Sequence, residues 1–354
     1  MAGKPMKYFH ETFMELFQIE KTQFLDFVKD LMAGPLDVIG VVQKGNCYTY
    51  DKVENHSDIC LDFPETEYSP KHFLLPPKEV LLSYRPLDSG SYEPIYSQKD
   101  QVLLGVHPCD CAAIALLDKA FSQDHYDPHY CSRRQATTII GVYPTQISHS
   151  RFSASMLNGN EQYLAADAML VDIDKTTYAI EIVTERGKEF FSTSAAIAAT
   201  PLVIALVDKR KSENADHLSM PVDSHAFHKL IANNKDNPLW NDWEAKCFKC
   251  GSCIMVCPTC FCFDIHDEVD SSLEYGLRYR MWSACMFDTA SQVTGNTTAR
   301  RLWHRMMRKA GDLPDKYGIA GCVGCGRCKK ACLPDIAFPV DIVNTIIGKE
   351  AHHV

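Results

Sequence analysis

The sequence predicts an α+β fold with mixed α/β structure over residues 1–207, a charged linker over 208–240 and a cysteine-rich module over 241–354. Three observations predict it. The first region contains a βαβ-like pattern followed by a hairpin pattern. Composition then shifts near residue 240. Beyond the shift the spacing C-x-x-C-x-x-C-x-x-x-C occurs twice, at Cys247, Cys250, Cys253 and Cys257, and again at Cys322, Cys325, Cys328 and Cys332.

In chain order, Phe9 to Leu31 reads as an opening helix. Val38-Ile39-Gly40-Val41-Val42 reads as a strand that turns at Gly45-Asn46. Phe73-Leu74-Leu75-Pro76-Pro77 is expected to be extended, because proline disfavours the helical region for the residue before it. Val102 to Val106 is a buried-strand pattern, His107-Pro108-Cys109-Asp110 a turn, Cys111 to Phe121 a helix, and Thr137 to Tyr143 a second buried strand. Ala168 to Ile173 and Tyr178 to Val183 flank Asp174-Lys175 as a hairpin. The linker holds one short helix near Ser224 to Ile231. In the module, Ala299 to Ala310 is helical with Gly311 as its stop.

With 354 residues the chain is long enough for two or more domains and a substantial core. A formal charge of −9 makes nucleic acid and anionic membranes poor partners. The longest apolar run, Ala195 to Val207, is broken by Thr200-Pro201 and too short to span a bilayer. Met1 to Gln18 has no uninterrupted apolar segment of the signal-peptide kind, so the 16 cysteines are expected as free thiols or metal ligands in a reducing, oxygen-poor cytoplasm.

The two cysteine runs carry the chemistry. Thiolates are soft ligands that favour iron–sulfur clusters, and the x-x spacing lets one tight loop present three of them to a four-iron cube. In two-cluster ferredoxins the fourth cysteine of each run serves the other cube. That rule assigns Cys247, Cys250, Cys253 and Cys332 to one 4Fe-4S cluster, and Cys322, Cys325, Cys328 and Cys257 to a second. The competing reading is a zinc-dependent binding module. Zinc closes at four ligands and usually takes two per knuckle, which a run of four does not suit.

Other residues invite further readings. Cys260, Cys262 and Cys285, joined by Cys109, are candidate ligands of a third cluster bridging the two domains; otherwise they are buried free thiols, like Cys47, Cys60 and Cys131. Cys109, at the start of a helix, also reads as a redox thiol or nucleophile of a stand-alone enzyme, although Asp110 beside it opposes a thiolate. Arg300, Arg301, Arg305, Arg308 and Lys309 read first as a solvated helix face, and as counter-charge for the thiolates second. Arg133-Arg134 reads the same way, or as a cap for an adjacent chain terminus or a phosphate. No G-x-G-x-x-G after a strand and no G-x-x-x-x-G-K-[ST] loop is present, so NAD and flavin are expected on partners. The His352-His353 tail reads as a chain end without a metal.

Several motifs together resemble the family formed by the A-subunits of anaerobic sulfite reductase and the beta subunits of sulfhydrogenase. They are Phe73 to Glu79, Gly105-Val106-His107-Pro108-Cys109-Asp110, Asp127-Pro128-His129-Tyr130 with Arg133-Arg134, and Cys257-Pro258-Thr259-Cys260-Phe261-Cys262-Phe263-Asp264. Trp282-Ser283-Ala284-Cys285 and Gly321 to Cys328 continue the pattern. Residues 258–321, between the runs, are a far longer insert than compact ferredoxins carry, and the module resembles the helical ferredoxin domains of fumarate reductase and heterodisulfide reductase. The resemblance implies a mostly α-helical, ferredoxin-like dicluster domain. It also implies an electron-transfer role between a flavoprotein that uses NAD(P)H and a terminal reductase or hydrogenase subunit, with sulfite, sulfur, protons or a heterodisulfide as the species reduced. His107 departs from the family's usual arginine, and Tyr143-Pro144 replaces a cysteine-containing strand end.

Overall fold

The computed structural model describes residues 15–88, 91–97, 99–123, 125–157, 165–213, 218–287 and 297–348. Its larger sheet has eight strands in the order β10-β1-β9-β8-β7-β6-β2-β3: β1 (Glu15–Glu20), β2 (Asp37–Lys44), β3 (Cys47–Lys52), β6 (Gln101–Val106), β7 (Thr137–Val142), β8 (Ala168–Asp172), β9 (Thr177–Ile182) and β10 (Ile197–Ala198). A smaller antiparallel sheet has the order β11-β12-β4-β5, with β4 (Lys78–Tyr84), β5 (Tyr92–Pro94), β11 (Phe263–Val269) and β12 (Gly276–Trp282).

The predicted βαβ unit is the centre of the larger sheet. β6 and β7 are parallel, with Val102 opposite Thr138 and Leu103 opposite Ile139, and every residue of β6 is buried. Buried, continuously apolar strands are what a parallel sheet covered on both faces requires. The helix Pro108–Ser122 lies between them in sequence and is buried nearly all round. It starts three residues earlier than the periodicity implies: His107 is its N-cap and Pro108 its first residue, a position where the missing N–H costs nothing. The hairpin at Asp174-Lys175 forms as β8 and β9.

Three expectations are corrected. Of the opening helix, Phe9 to Met14 lies outside the described residues. Glu15–Glu20 is instead a strand paired antiparallel with β9, and the helix covers Lys21–Ala33. Ile19 packs into the main core and Leu16 into a smaller one, and pairing with β9 outweighs helix propensity here. Lys71–Leu74 is a helical turn, and the chain leaves it at Leu75, directly before Pro76 (φ −129°). Gly311 does not stop the Arg-rich helix: Thr298–Met307 continues through a π-helical turn, Arg308–Asp312, into Leu313–Tyr317, ending at Gly318 with φ +66°.

Residues 208–240 hold the helix expected near Ser224 to Ile231, as Ser224–Asn233, together with the end of Pro201–Glu213 and the start of Leu239–Glu244. Phe227, Ile231, Trp240 and Trp243 join a second hydrophobic core with Leu302, Met306, Phe338 and Val343. The cysteine-rich module combines short helices and loops with the β11–β12 hairpin, which crosses to the first region, where Arg280 of β12 is in register with Glu79 of β4. Arg280 is 1% exposed and binds Glu79 (Nε to Oε2, 2.8 Å) and Asp127, while Arg133 binds the other Glu79 oxygen and Leu74 O. Arg134 pairs with Asp118. Arg133 and Arg134 are thus buried structural cations rather than solvated ones. No helix among the described residues is long and apolar enough to cross a membrane.

Candidate cluster-binding site

Each cysteine run folds into the same local shape. A loop carries the first two cysteines, a glycine in the left-handed region caps a short helix holding the third, and the fourth lies at or beyond the end of that helix. The helices are Ser252–Met255 and Arg327–Ala331, capped by Gly251 (φ +71°) and Gly326 (φ +83°). Both positions demand glycine twice over, since the backbone angle is unfavourable to side chains and a Cβ would meet Phe287 at 2.4 Å and Ser150 at 2.5 Å respectively. The two short helices touch.

The runs interleave. Cys332 is an electrostatic neighbour of Cys247 and Cys253, and Cys257 is one of Cys322, Cys325 and Cys328. Each fourth cysteine is therefore an electrostatic neighbour of members of the other run. Their thiols are spread rather than converged: among the described residues no three His, Cys, Asp or Glu groups come together tightly enough for a single metal ion. Burial pushes Cys253 up to about 11 and Cys325 and Cys328 up to about 12, whereas hydrogen bonds from Ser252 lower Cys250. Such buried thiols ionise only when a metal replaces the proton.

N–H and O–H groups point at the sulfurs. Lys249 N lies 3.5 Å from Cys247 Sγ, Ser252 Oγ 3.3 Å from Cys250 Sγ, and Ile336 N 3.5 Å from Cys332 Sγ; donors of this kind tune cluster potentials.

The strongest departure from expectation is the Arg-rich helix. Arg301, Arg305 and Lys309 are at most 4% exposed, so this face is buried against the cysteines rather than solvated. Arg305 neighbours Cys253, Cys328, Cys257 and Cys260. Burial works against its charge, but these thiolates outweigh it and raise its pKa. Its Nη1 donates to Ala337 O at 2.8 Å, while its Nε has no hydrogen-bond partner among the described residues. Lys309 Nζ reaches Thr259 Oγ1 at 2.5 Å, and Cys257 and Cys260 hold its pKa up against burial. Buried cations with an unsatisfied donor among thiols fit an anionic iron–sulfur cluster.

Sequence reasoning missed two anchors between the first region and the cysteine loops. Lys71, 3% exposed, donates to Cys257 O (3.0 Å) and Cys260 O (2.8 Å) with its ammonium 4.0 Å from the Trp282 ring; burial lowers its pKa to about 8. Arg327, inside the second cysteine loop, binds both oxygens of Asp110. The only signal for either was a charged residue sitting in an otherwise apolar or cysteine-bearing motif.

Cys109 lies apart from the other extra cysteines. It is 2% exposed and packs with Ala112, Ala113 and Val323, against Cys325. Burial first and Asp110 second drive its pKa far up, so the helix start does not make it a nucleophile. Cys260, Cys262 and Cys285 do come together, around one cavity. Cys47 and Cys60 are half-buried near the first region's sheet, and Cys131 is buried in its core. His352 and His353 lie outside the described residues.

With the geometry in place, comparison with known proteins decides the cofactor class. Residues 246–336 match the 4Fe-4S dicluster domain family, a span that includes all eight motif cysteines. The chain is 24% identical over 302 residues to Sulfhydrogenase 2 subunit beta of Pyrococcus furiosus, covering 83% of this chain and 88% of that protein. The chain carries a 4Fe-4S dicluster domain and is similar to a sulfhydrogenase beta subunit. As such a homologue it bears out the motif resemblance along most of its length. No solved structure matches it.

Proposed function

We propose that the chain is the electron-transfer component of a cytoplasmic, anaerobic oxidoreductase complex, with two 4Fe-4S clusters. One is held by Cys247, Cys250, Cys253 and Cys332, the other by Cys322, Cys325, Cys328 and Cys257. The observation that carries this reading is the interleaving, which seats Cys332 with Cys247 and Cys253 and Cys257 with Cys322, Cys325 and Cys328. A bound cluster supplies a one-electron couple. The chain's own residues bury it, donate hydrogen bonds to its sulfurs and balance its charge, with Arg305 between the two sets.

The first set is the one that meets a partner. Cys250 is exposed, and Phe248 and Leu333, beside Cys247 and Cys332, are 67% and 85% exposed. The relative is by name a beta subunit, and the same station suits this chain. Electrons pass between a flavoprotein subunit using NAD(P)H and a terminal subunit that reduces sulfite, sulfur, protons or a heterodisulfide.

The test is anaerobic purification with iron and acid-labile sulfide quantified, followed by redox titration. About eight motif-bound irons that cycle between two oxidation states are expected. A folded protein carrying zinc and no sulfide would overturn the reading. Co-purification from the native host identifies the terminal partner.

A further inference from the structure

Neither four-cysteine set uses Cys260, Cys262 or Cys285, yet these three line a single small cavity together with Arg305, Arg308 and Lys309. Local structure brings them there. Cys260 closes a turn onto Cys257, its N–H donating to Cys257 O at 3.3 Å. Cys262 leads into β11, and Ser283 N donates to Cys262 O at 2.9 Å, so the end of the hairpin sets Cys262 against the chain just before Cys285. Cys262 is accordingly an electrostatic neighbour of both Cys260 and Cys285.

The cations distinguish this cavity from a pocket of inert thiols. Cysteines packing as small hydrophobes need no counter-charge, but three cationic side chains line the cavity with these three sulfurs. Arg308 neighbours Cys285 and lies over the Phe261 ring, 5.8 Å from its centroid. Arg305, 3% exposed, lines the cavity with its Nε lacking any hydrogen-bond partner among the described residues. A buried donor is normally satisfied, and an anionic sulfur-rich group in the cavity would satisfy this one.

We propose that Cys260, Cys262 and Cys285 are the thiolate ligands of a third iron–sulfur cluster, additional to the two of the proposed function. Three thiolates leave this cluster either a three-iron centre or a four-iron centre with one iron not bound to cysteine. It borders both other sets, because Cys285 neighbours Cys253 and Cys260 neighbours Cys257. The site is therefore a branch between them rather than a terminus. Cys109 has no part in it.

The full chain, purified anaerobically, is assayed for iron, zinc and acid-labile sulfide as wild type and as Cys262→Ser and Cys285→Ser. The wild type is expected to hold about eleven to twelve irons and each variant three to four fewer, with sulfide falling in step. Cys60→Ser, remote from the cavity, is expected to match wild type, and a melting curve for each variant separates lost metal from lost fold. Electron paramagnetic resonance of the wild type supplies a reading independent of the variants: a third, separately titrating signal supports the site. Iron unchanged in both folded variants, or zinc in the cavity without sulfide, overturns it. Should the wild type fall below eight irons while both variants still lose three to four, the third site stands and the two-cluster reading fails.

Discussion

Arg327, between Cys325 and Cys328, and Asp110, in the first turn of the helix after β6, form a two-pronged ion pair with both contacts at 2.7 Å and both side chains almost wholly buried. Arg327 also donates to Thr66 O and Thr66 Oγ1, each at 2.9 Å. The sheet region thereby grips the second cysteine loop at its midpoint.

Removing one member of a buried pair leaves an uncompensated charge, which typically costs about 3–5 kcal/mol. Arg327→Met and Asp110→Leu are each expected to lower stability by that order and to reduce iron retention. The double variant should recover most of the loss. A double-mutant cycle from denaturant melts checks this, and additive losses would contradict it.

His107 is buried, stacked on Phe63 at 4.2 Å between ring centroids, and its Nε2 has no hydrogen-bond partner among the described residues. Burial, then the charges of Arg151 and Arg327, hold its pKa well below the ordinary 6.5. Below pH 6.5 the unfolded chain binds a proton that the folded chain refuses, so stability is complete above that pH and is lost as pH falls below it. His107→Phe should keep the stack, remove an unsatisfied polar atom and flatten this acid limb. Melting temperatures from pH 7 to pH 5 read the difference.

The proposed crossed ligand sets make an asymmetric prediction. Cys332→Ala is expected to remove about four irons belonging to Cys247, Cys250 and Cys253, while Cys257→Ala removes those of the Cys322 run. Spectra of the two variants should be complementary. If Cys332→Ala instead abolishes the signal that Cys322→Ala abolishes, the pairing is uncrossed.

Arg305 and Lys309 lie among the thiols, and their positive charge favours the reduced, more negative state of a cluster. Arg305→Gln is expected to shift at least one midpoint potential downward by roughly 60 mV, a tenfold change in a one-electron equilibrium. Arg300→Gln, on the outer part of the same helix, should shift none. Spectroelectrochemical titration compares them.

Much of this was legible in the residues, for reasons that differ by region. β6, its helix and β7 follow from unbroken apolar runs bounded by turn residues, a local pattern. The 4Fe-4S dicluster domain follows from the cysteine spacing, also local. β1 was hidden because Glu15–Glu20 becomes a strand only through β9, far along the chain. The burial of Arg301, Arg305 and Lys309 was hidden because a run of cations is ordinarily solvated. What brings these inside is negative sulfur from loops on either side of them in sequence, a partnership no local window contains. The pairing of Lys71 with two carbonyls of the cysteine segment is long-range in the same way.

The pairing of β12 with β4 has a practical corollary. A fragment stopping at residue 240, where composition suggests a seam, would strip one rim of β4 bare and leave Glu79 with half its guanidinium partners. Exposed strand rims invite self-association. Separately expressed halves should therefore precipitate where the intact polypeptide does not, and strain applied to the sheet by a bound protein would be felt directly at the sulfur ligands.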